Sequence, residues 1–302
     1  MKKITSLLLA GSFLFAACEK ESITTEKLAS AKETGMKHKL KFKFDNLANL
    51  GPNEQYEGWL IVNGAPVSAG TFTVDDKGKM SMKYAELDEK IIKDAASFVL
   101  TVEPMPDSDP KPSMIKLLAG DFSKDKAMVN VGHKMALNHN FKNSTGKYVL
   151  ATPTTASMED ELSGIWFLDL MSGSPMKGLD LPMLPEGWIY EGWAVIDGKP
   201  VSTGRFMKAE GADDMATFSG PMQGPPFPGE DFIKMAPSGL TFPTNLSGKT
   251  AVISIEPYPD NNPAPFQLKP LVCQIPMNAK DHYTYMLKNK VEMTFPAGYV
   301  MK

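Results

Sequence analysis

The sequence has two cysteines, four histidines and no block of like charge. Two cysteines cannot build a disulfide framework. Cys18 adjoins an apolar N-terminal run, and Cys273, within Leu271-Val272-Cys273, reads as a buried thiol. His38, His133, His139 and His282 are never four residues apart, and no His-Glu-x-x-His occurs, so no metal site is expected. There is no Gly-x-Ser-x-Gly elbow for a serine nucleophile. Pro243 to Thr250 mimics a phosphate loop, but Pro243 holds the first glycine position and the segment precedes a strand. A formal charge of −3 without a basic block excludes nucleic-acid binding. No apolar run is long enough to span a bilayer. These absences predict a protein that is not an enzyme and needs no cofactor.

What is present begins with Lys2 and Lys3, an apolar run from Leu7 to Phe15, and the small residues Ala16 and Ala17. This is the pattern of a secretory signal over residues 1–17. Small residues directly before Cys18 resemble the lipobox of bacterial lipoproteins, with Phe15 where leucine is usual. The resemblance implies lipid attachment at Cys18, the membrane being met through that anchor. Ordinary cleavage near Ala17, leaving a free thiol, is the alternative. Residues 18–36 are charged, rich in Thr and Ser and free of aromatics, the composition of a flexible tether. Glu19 and Glu21 resemble a lipoprotein surface-export signal. The expected location is the outer membrane, facing periplasm or cell surface.

The body of the chain is organised by a stretch that occurs twice. Tyr56-Glu57-Gly58-Trp59 leads through Asn63-Gly64 to Pro66-Val67-Ser68-Ala69-Gly70, and Tyr190-Glu191-Gly192-Trp193 leads through Asp197-Gly198 to Pro200-Val201-Ser202-Thr203-Gly204. A second pair, Val102-Glu103-Pro104 and Ile255-Glu256-Pro257, follows in the same order, as a tandem duplication requires. Asn-Gly and Asp-Gly predict type I′ hairpins. Pro66 and Pro200 predict that each returning strand starts at a sheet edge or is irregular there, and Gly70 and Gly204 predict a bulge or a close backbone approach. Trp59 and Trp193 read as core.

Alternation in Lys39-Leu40-Lys41-Phe42-Lys43-Phe44 predicts a strand with one solvated face. Met80, Met82 and Tyr84 alternate as another. Glu86 to Ala95 has helical spacing, and Ser97 to Val102 is a strand ending at Glu103. Ala127–Val131 and Lys147–Leu150 complete the first unit, Thr152–Thr155 is a linker, and Ile165–Leu168 opens the second. The expected fold is all-β: two tandem β-sandwich domains, residues 37–157 and 158–302. The 20 methionines are scattered and read as packing residues. Asp107-Ser108-Asp109 and Asp260-Asn261-Asn262 read as Asx-turns before calcium ligands.

Tyr-x-x-Trp, then Gly-x-Pro-Val-Ser-x-Gly, then a strand ending in Glu-Pro, resembles the C-terminal domain of anti-sigma-K factors. Tyr56, Trp59, Gly64, Pro66, Gly70, Glu103 and Pro104 carry it, and Tyr190, Trp193, Gly198, Pro200, Gly204, Glu256 and Pro257 carry it again. The resemblance implies an extracytoplasmic β-sandwich without the part that holds a sigma factor. The expected function is therefore non-catalytic binding or sensing in the cell envelope, with a protein or glycan partner. A carbohydrate-active hydrolase and a structural interaction lipoprotein are the alternatives. Glu103 and Glu256 end apolar strands and are candidate ligand contacts, or hydrogen-bond acceptors for a neighbouring loop. The second copy is longer: Tyr190 to Glu256 is 66 positions against 47 from Tyr56 to Glu103. The extra 19 residues include Gly220 to Glu230, a proline-rich loop expected to present Phe227 to a partner.

Overall fold

A computed structural model describes residues 36–259 and 262–302. The expected signal, Cys18 and the expected tether up to Gly35, together with Asp260 and Asn261, lie outside the described residues. In chain order the strands are β1 Lys37–Asp45, β2 Glu54–Val62, β3 Ala65–Phe72, β4 Tyr84–Asp88, β5 Ala95–Pro104, β6 Lys116–Ser123, β7 Lys126–Asn130 and β8 Thr145–Tyr148. They continue as β9 Gly164–Trp166, β10 Leu168–Asp169, β11 Met176–Lys177, β12 Leu179–Asp180, β13 Trp188–Ile196, β14 Lys199–Phe206, β15 Gly229–Asp231, β16 Thr250–Pro257, β17 Leu271–Gln274, β18 Tyr285–Asn289 and β19 Ala297–Met301. Two short helices, α1 Glu89–Asp94 and α2 Val291–Thr294, are the only α-helices among the described residues. The chain is thus nearly all β, as expected.

Two large sheets carry the fold. One has the order β3-β2-β5-β6-β7-β19-β1-β4, the other β14-β13-β16-β17-β18-β8-β12. The first four strands of the two sheets correspond in register. Tyr56 faces Val102 as Tyr190 faces Ile255, and Ser97 faces Asp121 as Thr250 faces Gln274. The sixth place in each is filled from the other half of the chain. β19, the last strand, lies between β7 and β1, while β8 lies between β18 and β12. The boundary expected at residues 157 and 158 therefore separates the two hairpins but not the two sheets. Met36–Lys302 forms one compact unit.

Local chemistry accounts for the hairpins. Asn63 and Gly64 have φ of 51° and 81°, and Asp197 and Gly198 have 51° and 79°, the double positive φ of a type I′ turn. β3 and β14 are edge strands, so the missing N–H of Pro66 and Pro200 interrupts no further pairing. Both hairpins shift register beside the central glycine, where β3 and β14 bulge. On β1, Leu40 and Phe42 are buried and the lysines exposed. Phe42 and Phe44 lie 5.7–6.4 Å, ring to ring, from Phe72 and Phe98. The first sheet therefore curls until β1 packs over β3 and β5.

Several local expectations are corrected. Met80 makes only an isolated bridge to Val74, and regular pairing starts at Tyr84. Residues 84–88 pair with β1, so the helix is confined to Glu89–Asp94, capped by the Asp88 side chain. β8 serves the second sheet, not the first. Thr152 and Thr154 are 1% and 2% exposed, so the expected linker is a buried strap. Ile165 pairs through β9 with β15, outside both large sheets, and the place of β1 is taken in the second sheet by β12. Cys273 is only half-buried. Most methionines lie at the surface, Met158 being 81% exposed, because Leu, Val, Ile and Phe fill the inward positions of the pleat.

Candidate functional site

Each hairpin carries the same chain of polar contacts through its core. In the first half, Trp59 Nε1 donates to Thr101 Oγ1 at 2.9 Å, and Thr101 Oγ1 donates to Glu103 Oε1. That carboxylate also accepts from Ser113 N at 2.9 Å. In the second half, Trp193 Nε1 donates to Ser254 Oγ at 2.8 Å and Ser254 Oγ to Glu256 Oε1. Phe266 N reaches both Glu256 oxygens at 3.0 Å. Glu103 is 2% exposed and Glu256 fully buried. Burial pushes the Glu103 carboxyl above its usual range, against the two hydrogen bonds that favour its charged form. The geometry makes each glutamate the anchor of the loop that follows its strand.

Tyr56 and Tyr190 repeat the theme: each hydroxyl donates to a carbonyl eight residues upstream, Ala48 O at 2.9 Å and Pro182 O at 2.7 Å. Ser68 donates to Glu57, and Ser202 to Glu191. These residues follow from strand alternation, which turns Tyr56, Gly58 and Leu60 to one face and Glu57 and Trp59 to the other.

The halves part company at the bulge glycine. A Cβ on Gly70 would lie 3.4 Å from the Met82 methyl, whereas one on Gly204 would lie 2.4 Å from the Asp213 carboxyl carbon. Asp213 accepts from Gly229 N at 2.8 Å and Met215 N at 3.3 Å. Desolvation outweighs those bonds and pushes its pKa up to about 8. Beside it Glu230 and Asp231 are fully buried, and burial raises both. Asp231 accepts from Thr154 N at 2.9 Å, from the Thr154 hydroxyl and from Trp166 Nε1 at 2.7 Å. Glu230 accepts from Ser219 through one oxygen, and its other oxygen has no hydrogen-bond partner. The sequence reading missed this acid niche, because Asp213, Glu230 and Asp231 look like ordinary loop charges until β15 is seen to be buried.

The loop before β15 is pinned at both ends. Gly220 N donates to Thr154 Oγ1 at 2.7 Å, Met222 N donates to Thr154 O at 3.1 Å, and Gly229 pairs with Trp166. Phe227 is half-buried against Val149, Trp166 and Leu168, while Met222 at the tip is 51% exposed. Glu103, Glu256 and Phe227 thus stand on separate elements and form no common site. An open hollow of about 560 Å³, lined by Asn49, Asp75, Lys79 and Ser81 among others, contains none of them.

Residues 22–115 match the family described as anti-sigma-K factor rskA, C-terminal. The matched range takes in Glu57, Trp59, Gly70 and Glu103 and stops short of β6. The second hairpin, which carries the same network, lies outside it. No curated protein and no solved structure matches the chain. The similarity therefore falls on an anti-sigma factor-like domain in the first half.

Proposed function

We propose that this chain is a lipid-anchored envelope protein with a non-catalytic binding role, built by tandem duplication of a domain similar to the outer domain of anti-sigma-K factors. The observation that carries the reading is the repeated Trp–hydroxyl–glutamate chain. It engages the two carboxylates that stand out in sequence as fasteners of the 105–113 and 258–266 loops, which favours a rigid recognition scaffold over an acid–base pair. Equal register across the first four strands of each sheet supports the duplication. Lipid attachment at Cys18 rests on the lipobox resemblance.

Partner contact is assigned to the tip of the 220–227 loop. Its ends are held by Thr154 and Trp166, so little freedom is lost when a partner binds the exposed Met222 side. A photo-crosslinking residue at position 222 should capture a discrete envelope component in cells, and one at Lys77 should not. Equal capture at both positions, or none at 222, would overturn the assignment. Cys18→Ser should release the protein from the membrane fraction. Retention of that variant at the wild-type level in high salt would remove the lipid anchor from the reading.

A further inference from the structure

The outward face of β4, β1, β19 and β7 concentrates lysine in a chain whose formal charge is −3. Cross-strand register sets the pattern. Lys41 stands opposite Tyr84 on one side and Met301 on the other, and Lys43 stands opposite Tyr299. Met301 in turn faces Lys126, and Tyr299 faces Met128. Lys126 Nζ lies 4.2 Å from the Tyr299 ring centre, Lys43 Nζ lies 5.9 Å from it, and Lys39 Nζ lies 4.5 Å from the Tyr84 ring. Acidic groups occupy the ends: Glu86 and Asp88 oppose Lys39 and Lys37, and Asp45 closes β1. The centre is left to Lys41, Lys43 and Lys126 with exposed Met128, Met301 and Tyr84.

We infer that this face docks on an anionic lipid surface. Lysines interleaved with tyrosine and methionine on the outer face of the curled sheet match a layer of phosphate charges over an apolar interior, where tyrosine settles at the headgroup level. The ring faces are already covered by ammonium groups, so they are poor platforms for stacking sugars. Position adds to the argument, because β1 is the first strand after residues 18–36 and begins at Lys37. The inference is independent of lipid at Cys18 in its test, although it rests on the envelope location proposed above. β19 supplies two of the face's residues, so the strand exchange builds it.

The test uses the chain from residue 18 carrying Cys18→Ser, so that no acyl chain contributes. Sedimentation with vesicles of phosphatidylglycerol and phosphatidylcholine should show binding that rises with the anionic fraction and vanishes in high salt. Lys41→Gln/Lys43→Gln/Lys126→Gln should weaken it about a hundredfold, at roughly fivefold for each lysine. A control with Lys208→Gln, Lys234→Gln and Lys280→Gln, exposed lysines elsewhere, should bind as the parent does. Equal loss in the control would reduce the effect to net charge and overturn the face. Equal binding to neutral vesicles, or binding to a soluble acidic polysaccharide but to no vesicle, would overturn the lipid assignment. Should the triple variant melt early, charge reversal at Lys41 alone, which faces solvent, must still weaken binding for the inference to stand.

Discussion

The two hairpins are superposable in register and in polar contacts, yet the segments that follow them have nothing in common. After β3 the chain passes through a turn, β4 and α1 before β5. After β14 it runs from residue 207 to 249 with only β15, and it buries Glu230 and Asp231 beside the half-buried Asp213. Against the bulge glycine the first half sets a methionine and the second a carboxyl group. Residues bound by several partners at once, such as Trp59 and Glu103, are held by the whole hairpin. The connection between hairpin and next strand answers to fewer constraints, and there the two halves differ.

The sharpest way to break the comparison is to remove the exchanged strand. Truncation after Pro296 deletes β19 from the middle of the first sheet, leaving β1 and β7 with unpaired edges. Amides of β1 should lose hydrogen-exchange protection while those of β13 and β16 keep theirs. Retained protection in β1 would mean that the first sheet closes without a strand from the second half.

Next in size are the tryptophans. Trp59→Ala and Trp193→Ala should each cost about 3–5 kcal/mol in chemical denaturation, because both rings are buried and both indole N–H groups are bonded. A loss below about 1 kcal/mol at either site, against the expected cavity penalty, would end the equivalence. Smaller effects should come from the hydroxyl links: Thr101→Val and Ser254→Ala each strand an indole N–H and weaken a carboxylate anchor, costing roughly 1–3 kcal/mol.

The halves should differ in their response to pH. The Asp213 pKa, about 8, lies above its ordinary value of 3.8, so the folded protein binds more protons than the unfolded chain between those values. Its contribution to stability is complete below the unfolded pKa and declines as pH rises through that window, until it is lost above about 8. Asp213→Asn should flatten the fall in melting temperature between neutral and alkaline pH, whereas Met82→Leu should leave the slope as it was. An unchanged slope in Asp213→Asn would move the titration to Glu230 or Asp231. Phe227→Ala should have the smallest effect, about 1–2 kcal/mol, since the ring is only half-buried against the Trp166 cluster. A larger loss would make the 220–227 loop part of the core.

Much of this was legible along the chain because the signals are local. Asn63-Gly64 and Asp197-Gly198 specify their turns through φ alone, Pro66 and Pro200 narrow their strands to an edge or an irregular start through a missing donor, and β1 shows its solvated face through alternation. Glu103 and Glu256 were recognisable as the pointed carboxylates, and their loop-anchoring bonds were one of the two readings open to them. Phe227 was placed in a loop correctly but on the wrong side of it, because nothing nearby in sequence announces that Trp166 waits beneath.

Hairpin type, strand polarity, the repeat and the all-β class follow from residue chemistry within a few positions, where backbone sterics and side-chain period act. Which sheet a strand joins does not. Thr145–Tyr148 and Ala297–Met301 would satisfy the pattern of either sheet, and their exchange depends on which open edge lies within reach once the rest has folded. Burial of Glu230 and Asp231 likewise needs Thr154, Trp166 and Ser219 to converge from distant parts of the chain. Pairing partners and desolvation are properties of the packed whole, and so the exchanged strands, the acid niche and the lysine face appear only there.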